Sequence, residues 1–332
     1  MSYTKPKPKK DSLLDFNKVL GTEEQRINFF IKAKYPDGFE CDKCGCNEYY
    51  LIKRKGIRNQ YILQCKDCGK QVSILDGTIF SNSKLTLYQI LIGLFLFIIS
   101  NKGISGPDLA NAMDVCTKTA QRYIRRFRTM MAESNKKVLD AMYYEIDIIE
   151  YGGVEHGGKR GKGADKAQVF MALSTDAYNK YPRYMMLHFL PDHKAGPIKK
   201  FVSKHMVLSS DTIVSCDNDS SFKWLKNVVD LNNAKVDYSD DDHKLYWLNV
   251  IASNFENNLK NIYRRITKRD LPLFLAEQTY RFNHRYTGKN FISKMCKYIG
   301  ASSCITNKQF TRTLDAYAEY FESQQPSEPE MA

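Results

Sequence analysis

Two Cys-x-x-Cys knuckles, Cys41-Asp42-Lys43-Cys44 and Cys65-Lys66-Asp67-Cys68, constrain this chain more than any other feature. Each is followed by a glycine, Gly45 or Gly69, which tolerates the left-handed backbone of a tight turn. Between them, Tyr49 to Leu63 alternates like a hairpin around a basic turn, Lys53 to Asn59. Two knuckles bridged by a hairpin bring four thiolates to one tetrahedral ion, the preferred geometry of structural Zn²⁺. A single zinc bound by Cys41, Cys44, Cys65 and Cys68 is therefore expected. Cys46 follows the first glycine and is a spare thiol or a substitute for Cys44. In the turn, Lys53, Arg54, Lys55 and Arg58 are candidate phosphate contacts or, equally, a solvated charged loop.

Nine cysteines without an export signal favour metal ligation over a disulfide framework. The most apolar run, Leu85 to Ile99, is interrupted by Tyr88 and Gln89; a bilayer span needs about 20 apolar residues, so a buried helix is the reading, and no membrane partner is expected. The expected location is the cytoplasm, in association with the nucleoid. The 332 residues suffice for two or three domains. A net charge of +13 makes a polyanion, nucleic acid first, the natural partner.

Periodicity divides the chain. A basic tail, Met1 to Asp11, is expected to be disordered. Helical spacing runs from Leu13 to Lys34, split near Gly21, with Thr22 as N-cap. After the cysteine region, Leu87 to Ser100 reads as a buried helix, and Ser105 to Ile124 as a helix-turn-helix. Ser105 caps its first helix, Pro107 and Asp108 suit the first turn, Val115 and Cys116 form the turn, and Thr117 caps the second helix. Lys118, Arg122, Arg125, Arg126 and Arg128 are assigned to the outer face of that helix, so that Thr117 and the basic residues can enter a major groove. Short strands follow at Tyr143 to Ile149, Ala167 to Leu173, Tyr184 to Phe189 and Thr212 to Cys216. Helices are expected again at His243 to Arg265 and Leu271 to Tyr286, and a disordered end from Glu322. This gives an N-terminal segment 1–35, a ribbon 36–80, a helical DNA-reading segment 81–140, an α/β domain 141–290 and a C-terminal extension 291–332.

Two aspartates stand in matching contexts: Asp147 in a strand before Gly152-Gly153, and Asp217 at the end of Thr212-Ile-Val-Ser-Cys216. A basic, glycine-rich loop, Gly157 to Gly163, follows the first, with Lys159, Arg160, Lys162 and Lys166 as candidate backbone contacts. Further on come Leu245-Tyr-Trp-Leu-Asn249, Ser253-Asn254-Phe-Glu256, and Glu277, Arg281, Asn283 and Arg285. With Asp76-Gly-Thr-Ile-Phe80 and Lys102-Gly-Ile-Ser105, their order and spacing resemble the ISXO2-like branch of the IS1595 insertion-sequence transposases over residues 36 to 290.

The resemblance implies a ribonuclease-H-like mixed sheet with flanking helices, and cleavage and joining of double-stranded DNA with two Mg²⁺ or Mn²⁺ ions. It also implies binding of terminal inverted repeats and of target DNA, and assembly as a homo-oligomer. Asp147 and Asp217 match two of the metal ligands. The third departs: Asn249 stands at the family's His, Glu256 at its Lys, and Ile148 at the Glu after the first Asp. Asn249 and Glu256 both remain candidates, since they share a helix face. An alternative is a transposase-derived DNA-binding protein with a degenerate site. Trp224 reads as core, Glu277, Arg281, Asn283 and Arg285 as scaffold or DNA contacts, and His284 as a contact or cap.

Overall fold

The structure, a computed structural model, describes residues 9–54, 61–135, 138–151, 167–176, 181–190, 195–232, 244–263, 266, 270–288 and 290–302. The chain forms two compact units: residues up to Ser134 together with those from Arg285 onward, and Asn135–His284.

The first unit opens with helices α1 (Leu13–Leu20) and α2 (Glu23–Lys34). Both start on capping boxes, Ser12 with Asp15 and Thr22 with Gln25, which satisfy amides that the helix itself leaves unpaired. The expected disorder of the whole basic tail is corrected at its end. Lys10 Nζ donates to the Ile99 carbonyl at 2.9 Å. Asp11 Oδ2 accepts from the amides of Phe291 at 2.6 Å and Ile292 at 3.2 Å, capping the last described helix, α9 (Phe291–Ala301). Met1 to Pro8 and residues 303–332 lie outside the described residues. Helix α9 is thus part of the N-terminal helical unit. It approaches α2 so closely that a Cβ on Gly300 would sit 2.0 Å from the Ala33 carbonyl oxygen.

Strands β1 (Tyr49–Lys53), β2 (Tyr61–Cys65) and β3 (Gln71–Ser73) form an antiparallel sheet in that order. Tyr49 pairs with Cys65, so the hairpin ends at the second knuckle. Helix α3 (Leu87–Ile99) is capped by Thr86 and Gln89 and buried along most of its length. No helix among the described residues is long and apolar enough to cross a membrane. Helices α4 (Gly106–Met113) and α5 (Thr117–Ser134) pack on each other. Phe16, Phe30, Phe80, Phe95, Phe97 and Phe127 fill the core of this unit.

The second unit is built on a five-stranded sheet: β5 (Tyr143–Tyr151), β6 (Ala167–Thr175), β7 (Pro182–Leu190), β9 (Ile213–Ser215) and β10 (Asp230–Asn232), in the order β10-β9-β5-β6-β7. The first three run antiparallel, and β9 and β10 lie parallel to β5. Short β4 (Leu139–Asp140) pairs with β8 (Met206–Val207). This mixed sheet with helices on both faces is the expected ribonuclease-H-like core. One face packs against α6 (Ala195–His205) and a 3-10 helix (Ser220–Asn227), using Tyr144, Ile146, Phe170 and Val214. The other packs against α7 (Tyr246–Asn258) and α8 (Leu271–Asn283), using Val169, Met171 and Leu187. Because strand side chains alternate, Glu145 and Asp147 share the α7 face with Ile149.

Strand β7 lies at the border of the sheet, and α8 closes it. Thr279 Oγ1 accepts from the Leu187 amide at 3.3 Å. Asn283 accepts from the Met185 amide at 2.7 Å and donates to the Met185 carbonyl at 2.9 Å. One helical turn rises about 6 Å over four residues, close to the advance of two residues along a strand, so Thr279 and Asn283 match Leu187 and Met185. Glu277 is fully buried and pairs with Arg281 at 2.7 Å, and the Tyr263 hydroxyl donates to the same carboxylate. Glu277, Arg281 and Asn283 are therefore scaffold. His284 ends α8, its Nδ1 lying 2.9 Å from the Tyr280 carbonyl oxygen.

Candidate functional site

The four cysteine sulfurs lie within 4.8 Å of one another. Cys41 Sγ is 3.6 Å from Cys68 Sγ, and Cys44 Sγ is 3.5 Å from Cys65 Sγ. A tetrahedron with metal–sulfur bonds of about 2.3 Å has edges of about 3.8 Å, so the set fits Zn²⁺. The knuckles repeat one turn. In each, the glycine amide bonds the carbonyl of the first cysteine (2.8 Å at Gly45, 3.1 Å at Gly69), and both glycines have positive φ, 74° and 66°. In each, the amide of the first cysteine returns to a carbonyl five residues on, Cys46 or Lys70, at 2.9 Å. Cys46 therefore occupies the place of Lys70 and uses its backbone, while its sulfur bonds the Glu48 backbone outside the cluster. Amides of Cys68 and Asp67 hold the Cys65 thiol down at about 6. The Cys46 amide favours the Cys44 thiolate, yet desolvation and the sulfurs of Cys65, Cys68 and Cys41 push that thiol up to about 12. A bound cation removes this conflict.

On the ribbon hairpin, Lys53 Nζ lies 3.3 Å from Glu23 and over the Tyr61 ring. Arg54 donates to Gln71 at 3.1 Å. Lys55 and Arg58, and with them Lys159, Arg160, Lys162 and Lys166, fall outside the described residues. In the helix-turn-helix, Ser105 caps α4 through the Asp108 amide at 3.2 Å, and Asp114 turns the chain with φ 51°. The cap of α5 sits one residue earlier than expected. The amides of Thr119 and Ala120 bond the Cys116 carbonyl at 2.9 and 3.1 Å, so Thr117 already lies within the helix. Thr117, Lys118 and Arg122 are exposed, and Arg125 and Arg126 half-buried. Arg128 is corrected to the inner side, where it is 6% exposed. It lies four residues after buried Ile124, on the stripe that also holds Phe127 and Met131.

The acidic site is set by strand register. Parallel β5 and β9 pair Glu145 with Ser215, and two residues further along each strand stand Asp147 and Asp217. Both are half-buried, Asp147 in the middle of β5 and Asp217 two residues past the carboxyl end of β9. Each turns a carboxylate oxygen to the amide of the next residue, Asp147 to Ile148 at 2.7 Å and Asp217 to Asn218 at 2.8 Å. The Cys216 thiol between them is pushed up to about 12, first by burial, and the charges of Asp147, Asp219 and Asp217 all raise it further. Asn249 is half-buried in the first turns of α7, and its Nδ2 is enclosed with no hydrogen-bond partner among the described residues. Glu256 is exposed. Among the described residues, the four cysteines form the one group of three or more metal-ligating side chains within reach of each other.

Two residues not singled out from sequence stand at this site. Glu145 is 3% exposed, and burial pushes its carboxyl up to about 7 against the pull of the Leu248 amide. That amide donates to Glu145 Oε2 at 2.8 Å, so Glu145 caps α7, whose own N-cap, Leu245, offers no side-chain bond. Lys244 Nζ donates to the Asn232 carbonyl at 2.9 Å. The same oxygen accepts from the Cys216 amide at 3.1 Å, which fixes the ammonium beside the end of β9 and Asp217. Desolvation lowers its pKa, and the charges of Cys216 and Asp217 oppose that.

Residues 140–283 match the family model of the ISXO2-like transposase domain, and residues 21–71 that of the transposase zinc-ribbon domain. Together they cover more than half of the chain. The chain belongs to the IS1595 family of transposases. A relative in Halobacterium salinarum, described as an uncharacterized protein in the transposable element ISH50, is 24% identical over 164 residues, 49% of this chain and 52% of its own length. The chain thus spans about half the length of the curated relative it matches. The ribbon precedes the transposase domain, and the sheet of the second unit is a ribonuclease-H-like core.

Proposed function

We propose that this transposase binds the terminal inverted repeats of an element through its ribbon and helix-turn-helix, and cuts and joins double-stranded DNA at Asp147 and Asp217. The observation that supports the reading is the parallel register of β5 and β9, in which Glu145 pairs with Ser215 and the two aspartates each follow two residues on. Hard oxygen donors on neighbouring strands suit a shared divalent cation. A Mg²⁺ or Mn²⁺ pair bound there would supply a sharpened water or 3′-hydroxyl and a stabilised leaving oxygen. Asp147 and Asp217 would hold the cations, and the Asn249 amide oxygen or Glu256 would complete the set. Lys244 gives the scissile phosphate a fixed positive charge beside Asp217, a role open because Glu256 replaces the family's lysine. Glu145 acts through α7, anchoring by the Leu248 amide the first turn of the helix that carries Asn249. Lys53, Arg54, Lys55 and Arg58, with Thr117, Lys118, Arg122, Arg125 and Arg126, contact DNA in the first unit; Lys159, Arg160, Lys162 and Lys166, which follow β5 in sequence, add further backbone contacts. A homo-oligomer in the cytoplasm, on the nucleoid, follows from the need to handle two element ends.

The test is incubation of the purified protein with Mg²⁺ or Mn²⁺ and duplexes carrying the element's ends. Cleavage and joining that disappear in Asp147→Asn and Asp217→Asn support the reading. Binding without cleavage by the wild type supports the second reading, a DNA-binding protein descended from a transposase. That reading draws on the neutral amide of Asn249, the exposure of Glu256 and the lack, among the described residues, of a three-carboxylate group.

A further inference from the structure

The second unit carries a row of lysines that the family motifs do not include. Lys199, Lys200 and Lys204 stand on α6, and Lys223 and Lys226 on the 3-10 helix. All five are exposed. The two helices bury Ile198, Phe201 and Val202, and Phe222 and Leu225, in one core cluster, which fixes them side by side with their lysines outward. In a 3-10 helix residues three apart eclipse, so Lys223 and Lys226 form one column; Lys200 and Lys204, four apart on α6, form another.

Neither helix contains an acidic residue. The nearest in sequence, Asp219, is used as a cap, accepting from the Ser221 amide and hydroxyl at 2.8 Å each. Among the described residues none of the five lysines makes an ion pair. Lys199 Nζ stands 5.8 Å over the ring of half-buried Trp224. Like charges crowded on two short helices repel each other, so the arrangement does nothing for the fold and suits an external polyanion.

We propose that the surface of α6 and the 3-10 helix binds the phosphate backbone of double-stranded DNA, independently of sequence. This rests on the functional reading above and adds to it the path of the DNA. The 3-10 helix begins at Ser220, three residues past Asp217, so its lysines lead away from the acidic pair. Duplex is favoured over single strands because a single strand needs exposed aromatic platforms for its bases, whereas Trp224 lies beneath Lys199. Flexible ammonium groups are point charges that position a backbone and carry no base readout.

The experiment measures binding of the full-length, zinc-loaded protein to a duplex lacking element ends, over a salt series and without Mg²⁺ or Mn²⁺. Each phosphate contact adds about 0.9 to the slope of log K against log salt. Changing all five lysines to Gln should lower that slope by about 2 to 4, and changing all five to Arg should restore it. Intact tryptophan fluorescence shows that each variant is folded. An unchanged slope in the Gln variant overturns the proposal, as does a larger effect on single-stranded DNA or on RNA than on duplex. The measurement uses no element ends and no divalent cation and reads no cleavage, so failure of the strand-transfer reading leaves this result standing.

Discussion

His188 on β7 makes the second unit sensitive to mild acid. Its ring stacks on Phe201 of α6 at 4.0 Å, and Phe201 also packs on His205. Burial, with a smaller push from His205, lowers the His188 pKa to about 3. The native state then refuses a proton that the unfolded chain accepts near pH 6.5. A depressed native pKa stabilises above the unfolded pKa and loses that stability as pH falls through 6.5 toward 3. Between pH 7.5 and 5.5 the unfolded state gains about 1.4 kcal/mol from this one proton. That figure needs only a native pKa below about 4.5, which matters because part of the residue reaches the surface. His188→Phe keeps a ring against Phe201 and cannot titrate. Both tryptophans, Trp224 and Trp247, lie in the second unit, so urea unfolding followed by their fluorescence reports on it alone. With a urea dependence of about 2 kcal/mol per molar, the wild-type midpoint should fall about 0.7 M further than that of the variant over this pH interval. Equal shifts in the two proteins would refute the argument, because every other titrating group is shared.

Gly300→Ala would press a methyl group onto the Ala33 backbone; an overpacked core contact costs about 1–3 kcal/mol, read as a lower melting temperature by circular dichroism. Removing zinc with a chelator should expose Cys41, Cys44, Cys65 and Cys68 to a thiol reagent and weaken binding to element ends, with the tryptophan signal of the second unit unchanged. The Cys116 thiol, exposed and lowered in pKa by bonds from the Thr119 side chain and amide, should alkylate at lower pH than a free cysteine, and element-end DNA should slow the reaction. Lys244→Ala should cut strand cleavage at least tenfold while end binding, measured by mobility shift, stays within twofold.

Local chemistry made much of this molecule legible. The knuckle spacing, the Thr22 and Ser105 caps, and four strands of the large sheet follow from short stretches whose residue types admit few alternatives. Helix α6 did not, because Gly196 and Pro197 at its start and only three buried apolar positions weaken its pattern. Helix α9 is short and takes its stability from α2. The Cys116 cap was hidden because Thr117 is the better capping residue by type. Arg128 was misassigned by charge where periodicity, four residues from Ile124, gives the inner face. Asp147 and Asp217 were legible because each follows a short run of strand-forming residues. Lys244 and Glu145 were not, since their roles arise only when Asn232 meets Cys216 and Leu248 meets β5, partners 12 to 103 residues away.

The bonds that Thr279 and Asn283 of α8 make to β7 have a consequence for what can dock on that edge of the sheet. The outward amides of Met185 and Leu187 are spoken for within the same molecule, so they should exchange with deuterium slowly despite their place on the last strand. An incoming chain would have to peel α8 away before it could extend the sheet there. Any self-association of the protein would then use other surfaces, and the second unit is protected on this side from the runaway strand stacking that ends in aggregates.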